Sequence, residues 1–71
     1  MNRRKRWQMT SNEVIDILES DGWYLVATKG SHRQYKHPEK RGRVTVPHPK
    51  KDLPKGTISS ILRKAGLRLR M

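Results

Sequence analysis

The first hydrophobic pattern along the chain has the period of an amphipathic helix. Its apolar positions are Val14, Ile15, Ile17 and Leu18, and at 3.6 residues per turn they share one face. Residues 10–13 fit a capping box, in which the Thr10 hydroxyl and the Glu13 carboxylate each accept a backbone N–H. Gly22 favours a stop, since glycine readily adopts the left-handed conformation of a helix terminus. The pattern predicts a helix that begins after Thr10 and ends at Asp21 and Gly22.

The central part of the chain has the composition of three short β-strands, at 23–28, 32–37 and 43–46. The first is aromatic and β-branched, which favours a strand. Only residues 29–31 separate it from the second, so these two strands must pair antiparallel. A charged turn at 38–42 leads to the third strand, which Pro47 and Pro49 end because they lack N–H donors. These segments predict a three-stranded antiparallel sheet.

A second helical stripe lies near the C-terminus, at Ile58, Ile61, Leu62 and Ala65. Gly66 favours the end of this helix. Its start, at 55–57, combines a lysine, a glycine and a threonine. This favours either Thr57 as a plain N-cap, the simpler interpretation, or a phosphate pocket at the helix N-terminus. The predicted fold class is α+β in the order αβββα, with both helices burying their stripes on one face of the sheet.

Charge is distributed unevenly over the 71 residues, of which 17 are Lys or Arg and 6 are Asp or Glu. A basic arm at 3–6 is followed by no Lys or Arg until Lys29, and four of the six acidic residues fall in that gap. We therefore expect one basic functional face, with the acidic first helix directed elsewhere. The net charge of +11 predicts a polyanionic partner, nucleic acid before membrane, because no strongly basic amphipathic helix is present.

Length and composition exclude several classes of protein. A chain of 71 residues makes one small domain with a thin core. It contains no cysteine, which excludes disulfide scaffolds, thiolate zinc sites and cysteine nucleophiles. The longest apolar run, residues 23–27, is far short of the roughly 20 residues needed to span a bilayer. We therefore expect a cytoplasmic protein.

His32 is the candidate catalytic residue because of where the strand period places it. Tyr35 has the largest apolar body in the second strand, so its face is expected under the helices and His32 on the open face. Imidazole exchanges a proton near neutral pH, RNA supplies a nucleophile in its own 2′-OH, and cations neutralise the phosphate. The expected cations nearest His32 are Lys29, Arg33 and Lys36. The alternative is a histidine that only contacts phosphate or solvent.

The other two histidines are weaker candidates. His37 precedes a proline at a strand end, which is typical of a surface histidine. His48 lies between prolines in an extended stretch that brings it near the sheet edge. His32 and His37 are five residues apart on a strand and therefore point to opposite faces. With so few carboxylates nearby, we expect no metal site and no cofactor.

Several motifs along the chain resemble those of HicA-type toxins, the small mRNA interferases of bacterial and archaeal toxin–antitoxin pairs. They are Asp21-Gly22-Trp23, Lys29-Gly30-Ser31-His32, Tyr35-Lys36-His37-Pro38, the segment 44–53 and Gly56-Thr57-Ile58. The resemblance covers residues 9–67. It leaves a basic N-terminal arm at 1–8, which has no counterpart in the family pattern, and a basic C-terminal tail at 68–71.

The resemblance implies both a fold and a function. The family fold is the αβββα arrangement of double-stranded-RNA-binding domains, and the family's activity is ribosome-independent cleavage of mRNA. The catalytic histidine of the family corresponds to His32, in a turn formed by Gly30 and Ser31, while His48 and Tyr35 are candidate accessory residues. We expect RNA to contact Lys29, Arg33, Lys36, Lys50, Lys51 and Lys55. The implied partners are mRNA and a HicB-type antitoxin that covers the active face.

A function of another class fits the charge and the predicted fold equally well. A non-catalytic basic module that binds RNA or DNA would have the same composition and element order. Only the Gly30-Ser31-His32 turn favours an enzyme. The two interpretations differ in whether the chain cleaves the nucleic acid that it binds.

Overall fold

The structure is a computed structural model that describes residues 9–68. Its elements are α1 (Ser11–Ser20), β1 (Tyr24–Lys29), β2 (His32–Lys36), β3 (Val44–Pro47) and α2 (Lys55–Lys64). The strands form one antiparallel sheet in the order β1-β2-β3. The predicted αβββα fold, like that of double-stranded-RNA-binding domains, is confirmed. The basic arm 1–8 and the last three residues of the tail lie outside the described residues.

Helix α1 begins with the capping box that its sequence predicts. The Thr10 hydroxyl accepts the Glu13 N–H at 3.1 Å, and the Glu13 carboxylate accepts the Thr10 N–H at 2.9 Å. Asp21 is the C-cap, and Gly22 follows with a φ of 105°. Local sequence therefore determines both ends of this helix.

The start of helix α2 differs from the prediction. Pro54 is the N-cap residue, no side chain caps the helix, and Thr57 is its third residue. The extended backbone of Pro54 (φ −61°, ψ 149°) directs its carbonyl to the Ile58 N–H at 3.0 Å, which closes the first turn. Thr57 as a plain N-cap is therefore wrong, because the proline starts the helix one turn earlier.

The core lies between the two helices and one face of the sheet. Pairing of Tyr35 with Val44, and of Arg33 with Val46, puts these four residues on the helix-covered face. Tyr35, Val44 and Val46 are at most 1% exposed. The helices contribute Val14, Ile15, Leu18, Ile58, Ile61 and Leu62 to the same cluster. The predicted hydrophobic stripes are therefore core except for Ile17, which is partly buried against it, and the opposite sheet face is left open.

A polar cluster joins the C-terminal ends of the two helices. The Asp21 carboxylate accepts hydrogen bonds from Lys40 Nζ at 2.6 Å and from the Trp23 indole at 3.2 Å. Lys40 Nζ also donates to the Ala65 carbonyl at 2.9 Å, at the end of α2. The hydrogen bond from Lys40 holds the pKa of Asp21 below its ordinary value of 3.8, against the opposing effect of burial. Lys40 is thus part of the framework that holds the helices on the sheet.

Candidate active site

The open face of the sheet carries His32 at the first position of β2. His32 pairs with Lys29 on one side and with Pro47 on the other, and its side chain is exposed. Tyr35, three residues on, is 1% exposed beneath the helices. Because side chains alternate along a strand, His32 and Tyr35 lie on opposite faces. Tyr35 therefore supports the sheet from the core, and the structure does not bring it beside His32.

A two-residue turn, Gly30-Ser31, connects β1 to β2 and so positions His32. Gly30 has a φ of 54°, which side chains other than glycine rarely adopt, and it is the first central residue of the turn, as in type II′ hairpins. A Cβ atom at Gly30 would meet nothing within 4 Å. Backbone conformation, and not space, is therefore the reason for glycine here.

Cations on the open face come from β1, from β2 and from the residue that precedes β3. Lys29 lies opposite His32, and Lys36 follows four residues later on the same face; both are exposed. Just before β3, Arg43 Nη1 donates to the Gln34 carbonyl oxygen at 2.7 Å. Arg33 pairs with Val46 and is half-buried on the helix-covered face. The structure thus places two of the three cations expected around His32 on its face, and adds Arg43.

The remaining predicted RNA-binding lysines lie elsewhere. Lys50 and Lys51 line a cavity of about 310 Å³ at the N-terminus of α1, together with Thr10, Ser11 and Asn12. Lys55 is the exposed first residue of α2. None of these three lysines is among the described residues that line the groove at His32. Lys55 nevertheless directly precedes Gly56, which does line that groove.

A groove of about 350 Å³ runs along the outer edge of β3, between this strand and α2. On the side of the sheet it is lined by His32, Val44, Thr45 and Pro47, and by Arg43, which precedes β3. Those of the helix are Gly56, Thr57, Ser60, Ile61 and Lys64. The sequence alone did not predict that Arg43 and Lys64 share a groove with His32, because the two residues are far apart in the chain and belong to no common motif.

His48 contacts both the Gly30-Ser31 turn and helix α1. Its backbone N–H donates to the Ser31 carbonyl at 2.8 Å, and its Nδ1 lies 2.7 Å from the Ser11 hydroxyl. Ser11 is 1% exposed, and its oxygen also accepts the Lys50 N–H at 2.9 Å. The Ser11 hydroxyl has one proton and two acceptors within reach, His48 Nδ1 and the Lys50 carbonyl at 3.3 Å. The sequence alone did not indicate these hydrogen bonds of Ser11, because its partners are 37 and 39 positions away in the chain.

His37 is not the surface histidine that its neighbouring proline predicts. Its side chain is 8% exposed and packs edge-on against the Trp23 ring, with 5.2 Å between centroids. Nδ1 accepts N–H groups from Glu39 and Lys40 at 2.9 and 3.2 Å, so the proton sits on Nε2, which donates to the Asp21 carbonyl at 2.6 Å. A Cβ at Gly22 would approach Nε2 to 2.9 Å. His37 is therefore structural.

Two other properties of the described part of the chain bear on function. Within residues 9–68, no group of three or more His, Asp or Glu side chains is placed to hold a metal ion. Over the same residues, neither helix is long and apolar enough to cross a membrane.

Comparison with protein families gives a match over most of the chain. A family model described as "HicA toxin of bacterial toxin-antitoxin" matches residues 11–67, a span that contains both helices and the whole sheet. A search of curated proteins found no match. The matched span also contains the Gly30-Ser31 turn and every residue that lines the groove at His32.

Proposed function

The chain belongs to the HicA toxin family, and from this membership we propose that it is a ribosome-independent endoribonuclease that cleaves mRNA with His32 as general acid/base. The observation that carries this proposal is the exposed imidazole of His32 in a groove that also contains Arg43 and Lys64. We expect the protein to act in the cytoplasm, where mRNA is found. RNA is the substrate that fits the net charge of +11.

The proposed chemistry is an internal transfer of the phosphoryl group. His32 removes the proton from a ribose 2′-OH, whose oxygen then attacks the adjacent phosphorus, and the bond to the 5′-oxygen of the next nucleotide breaks. The departing oxygen takes a proton from a water molecule and becomes a 5′-hydroxyl, and the protonated His32 returns its proton to the solvent. The upstream fragment keeps a 2′,3′-cyclic phosphate. Arg43 and Lys64 stabilise the charge that develops on the phosphoryl oxygens. The mechanism requires no metal ion.

Cleavage of a defined RNA in excess EDTA tests this function. We expect the purified protein to cut the RNA at an undiminished rate and to leave cyclic-phosphate ends, which phosphatase treatment and mass spectrometry identify. DNA and 2′-O-methyl RNA of the same sequence should bind without being cut, because they lack the nucleophile. Loss of cleavage in EDTA that a single divalent ion restores would contradict the mechanism.

We also infer that a HicB-type antitoxin neutralises the toxin by covering the open face that carries His32. Membership of a toxin–antitoxin family implies an antitoxin partner. Beside the cations of the open face, strand β1 exposes Tyr24, which is 49% accessible, whereas Leu25, at 45%, pairs with Tyr35 and so lies on the other face. Tyr24 pairs with Lys36 and so lies on the face of His32. An antitoxin with acidic groups and an apolar patch would complement this surface.

Tyr24→Ala is expected to weaken antitoxin binding at least tenfold, because a large aromatic side chain at an interface commonly contributes about 2 kcal/mol. Titration calorimetry with the cognate antitoxin measures the change. The matched control is Glu19→Ala, which truncates an exposed side chain on α1 and should change affinity less than twofold. The reverse result, with Glu19 critical and Tyr24 neutral, would place the antitoxin on the acidic helix.

A further inference from the structure

We propose that the groove between β3 and α2 holds one unpaired nucleotide of the RNA beside the phosphate at which His32 acts, and that it thereby selects single-stranded RNA. The inference rests on the proposed function and assigns it a substrate class. It also gives Thr57 a role other than that of an N-cap, and it gives roles to Ser60 and Lys64, which no motif of the sequence singled out.

The shape of the groove sets the size of its occupant. One wall is the outer edge of β3, which has no strand beside it in the described part of the chain, and the other wall is α2. A volume of about 350 Å³ lies at the small end of the roughly 300–1,000 Å³ typical of small-molecule sites. A single nucleotide fits such a space, and a base pair does not.

The groove combines the three chemical features that a nucleotide needs. The half-buried Pro47 supplies apolar surface for the face of a base, beside Val44 and Ile61, which are 1% and 5% exposed and add little surface of their own. Three hydroxyls, from Thr45, Thr57 and Ser60, are available to base edges and the ribose 2′-OH. Arg43 and Lys64 carry the positive charge for phosphate oxygens. No acidic residue is among the described residues that line the groove.

The start of α2 at Pro54 matters for this site. Because no side chain caps the helix, the Thr57 hydroxyl is not used as an N-cap and lines the groove one turn into the helix. Ser60 and Lys64 follow at spacings of three and four residues, which places all three on one helix face. That face points towards the outer edge of β3, whose last residue, Pro47, pairs with His32.

Two serines on α2 provide a matched test. Ser60 lines the groove, whereas the adjacent Ser59 is exposed and does not. Ser60→Glu introduces a carboxylate into the groove, four residues before Lys64, and Ser59→Glu introduces one outside it, four residues before Arg63. Both variants undergo the same change in net charge and the same i,i+4 pairing, so they differ in position alone.

The probe is a single-stranded 2′-O-methyl RNA of six nucleotides, which cannot be cleaved, with a duplex of the same sequence as comparison. We expect Ser60→Glu to weaken binding of the single strand at least tenfold and Ser59→Glu less than twofold, by fluorescence anisotropy. Lys64→Gln should weaken it more than Arg63→Gln. The wild-type protein should bind the single strand more tightly than the duplex.

The outcomes separate this inference from the proposed function. Equal effects of Ser60→Glu and Ser59→Glu, or tighter binding of the duplex, would overturn the groove assignment even if the protein cleaves RNA. Selective loss of binding in Ser60→Glu would support the groove even if the wild-type protein cleaves nothing. Circular dichroism of both variants verifies that each keeps the αβββα fold.

Discussion

Replacing His32 with alanine is expected to lower the rate of RNA cleavage about 10²–10⁴-fold, the usual contribution of a proton-transfer group. Growth inhibition on expression should disappear with it. Affinity for RNA should change little, because it depends on many cations and not on one imidazole. Stability should also be preserved, since the His32 side chain is exposed at the start of β2 and contributes little to the core.

Lys36→Ala is the matched control for His32→Ala, because both residues are exposed and share one face of β2. Losing this cation should weaken RNA binding modestly and leave the cleavage rate at saturation near that of the wild type. Single-turnover cleavage, with binding measured separately, distinguishes the two effects. A purified His32→Ala protein that cuts RNA at the wild-type rate would remove His32 from the mechanism. An intact wild-type protein that binds RNA without cutting it would favour the non-catalytic RNA- or DNA-binding module.

Replacing His37 with alanine is expected to destabilise the fold, whereas replacing His32 is expected to affect the cleavage rate alone. His37→Ala should lower the free energy of unfolding by about 2–4 kcal/mol, because it leaves the Asp21 carbonyl and two backbone N–H groups without their partner and opens a cavity beside Trp23. Domains of this size are typically stabilised by only about 5 kcal/mol or slightly more. A large part of the variant population should therefore unfold in mild denaturant.

Urea unfolding followed by Trp23 fluorescence, with Trp7 replaced by phenylalanine to remove the second indole, measures this loss. His32→Ala in the same background is the control, and its midpoint should lie within experimental error of the parent. A His37→Ala protein as stable as its parent would show that the hydrogen bonds to Asp21, Glu39 and Lys40 contribute nothing net. The two alanine variants together distinguish the proposed catalytic role of His32 from the structural role of His37.

Local sequence was enough for most of the secondary structure. In the capping box, Thr10 and Glu13 accept each other's backbone N–H groups within one turn of helix. The Gly30-Ser31 turn is too short for any connection other than an antiparallel hairpin. The start of α2 was predicted wrongly because proline and threonine both favour helix starts, and the two signals lie three residues apart. Only the backbone of Pro54 in the folded chain shows which one prevails.

Some features of the candidate site were likewise predictable from local sequence, and others were not. Period-two alternation in β2 was enough to predict that Tyr35 is core and that His32 faces outwards, because alternation is a property of any strand. The same rule put Arg33 on the side of Tyr35, although its charge suggested a place near His32. The grouping of Arg43 and Lys64 with His32 came from the packing of α2 against β3, for which no local signal exists.

The sequence by itself determined the order of the elements, the basic character of the chain and the exposure of His32 at the end of a tight turn. The tertiary structure alone decided that His37 is structural, that Ser11 contacts His48, that Lys40 joins the two helices, and that a groove lies beside His32. These contacts join residues 16, 37 and 25 positions apart in the chain. Periodicity and capping act within a few residues, whereas contacts at such separations form only when the helices pack on the sheet.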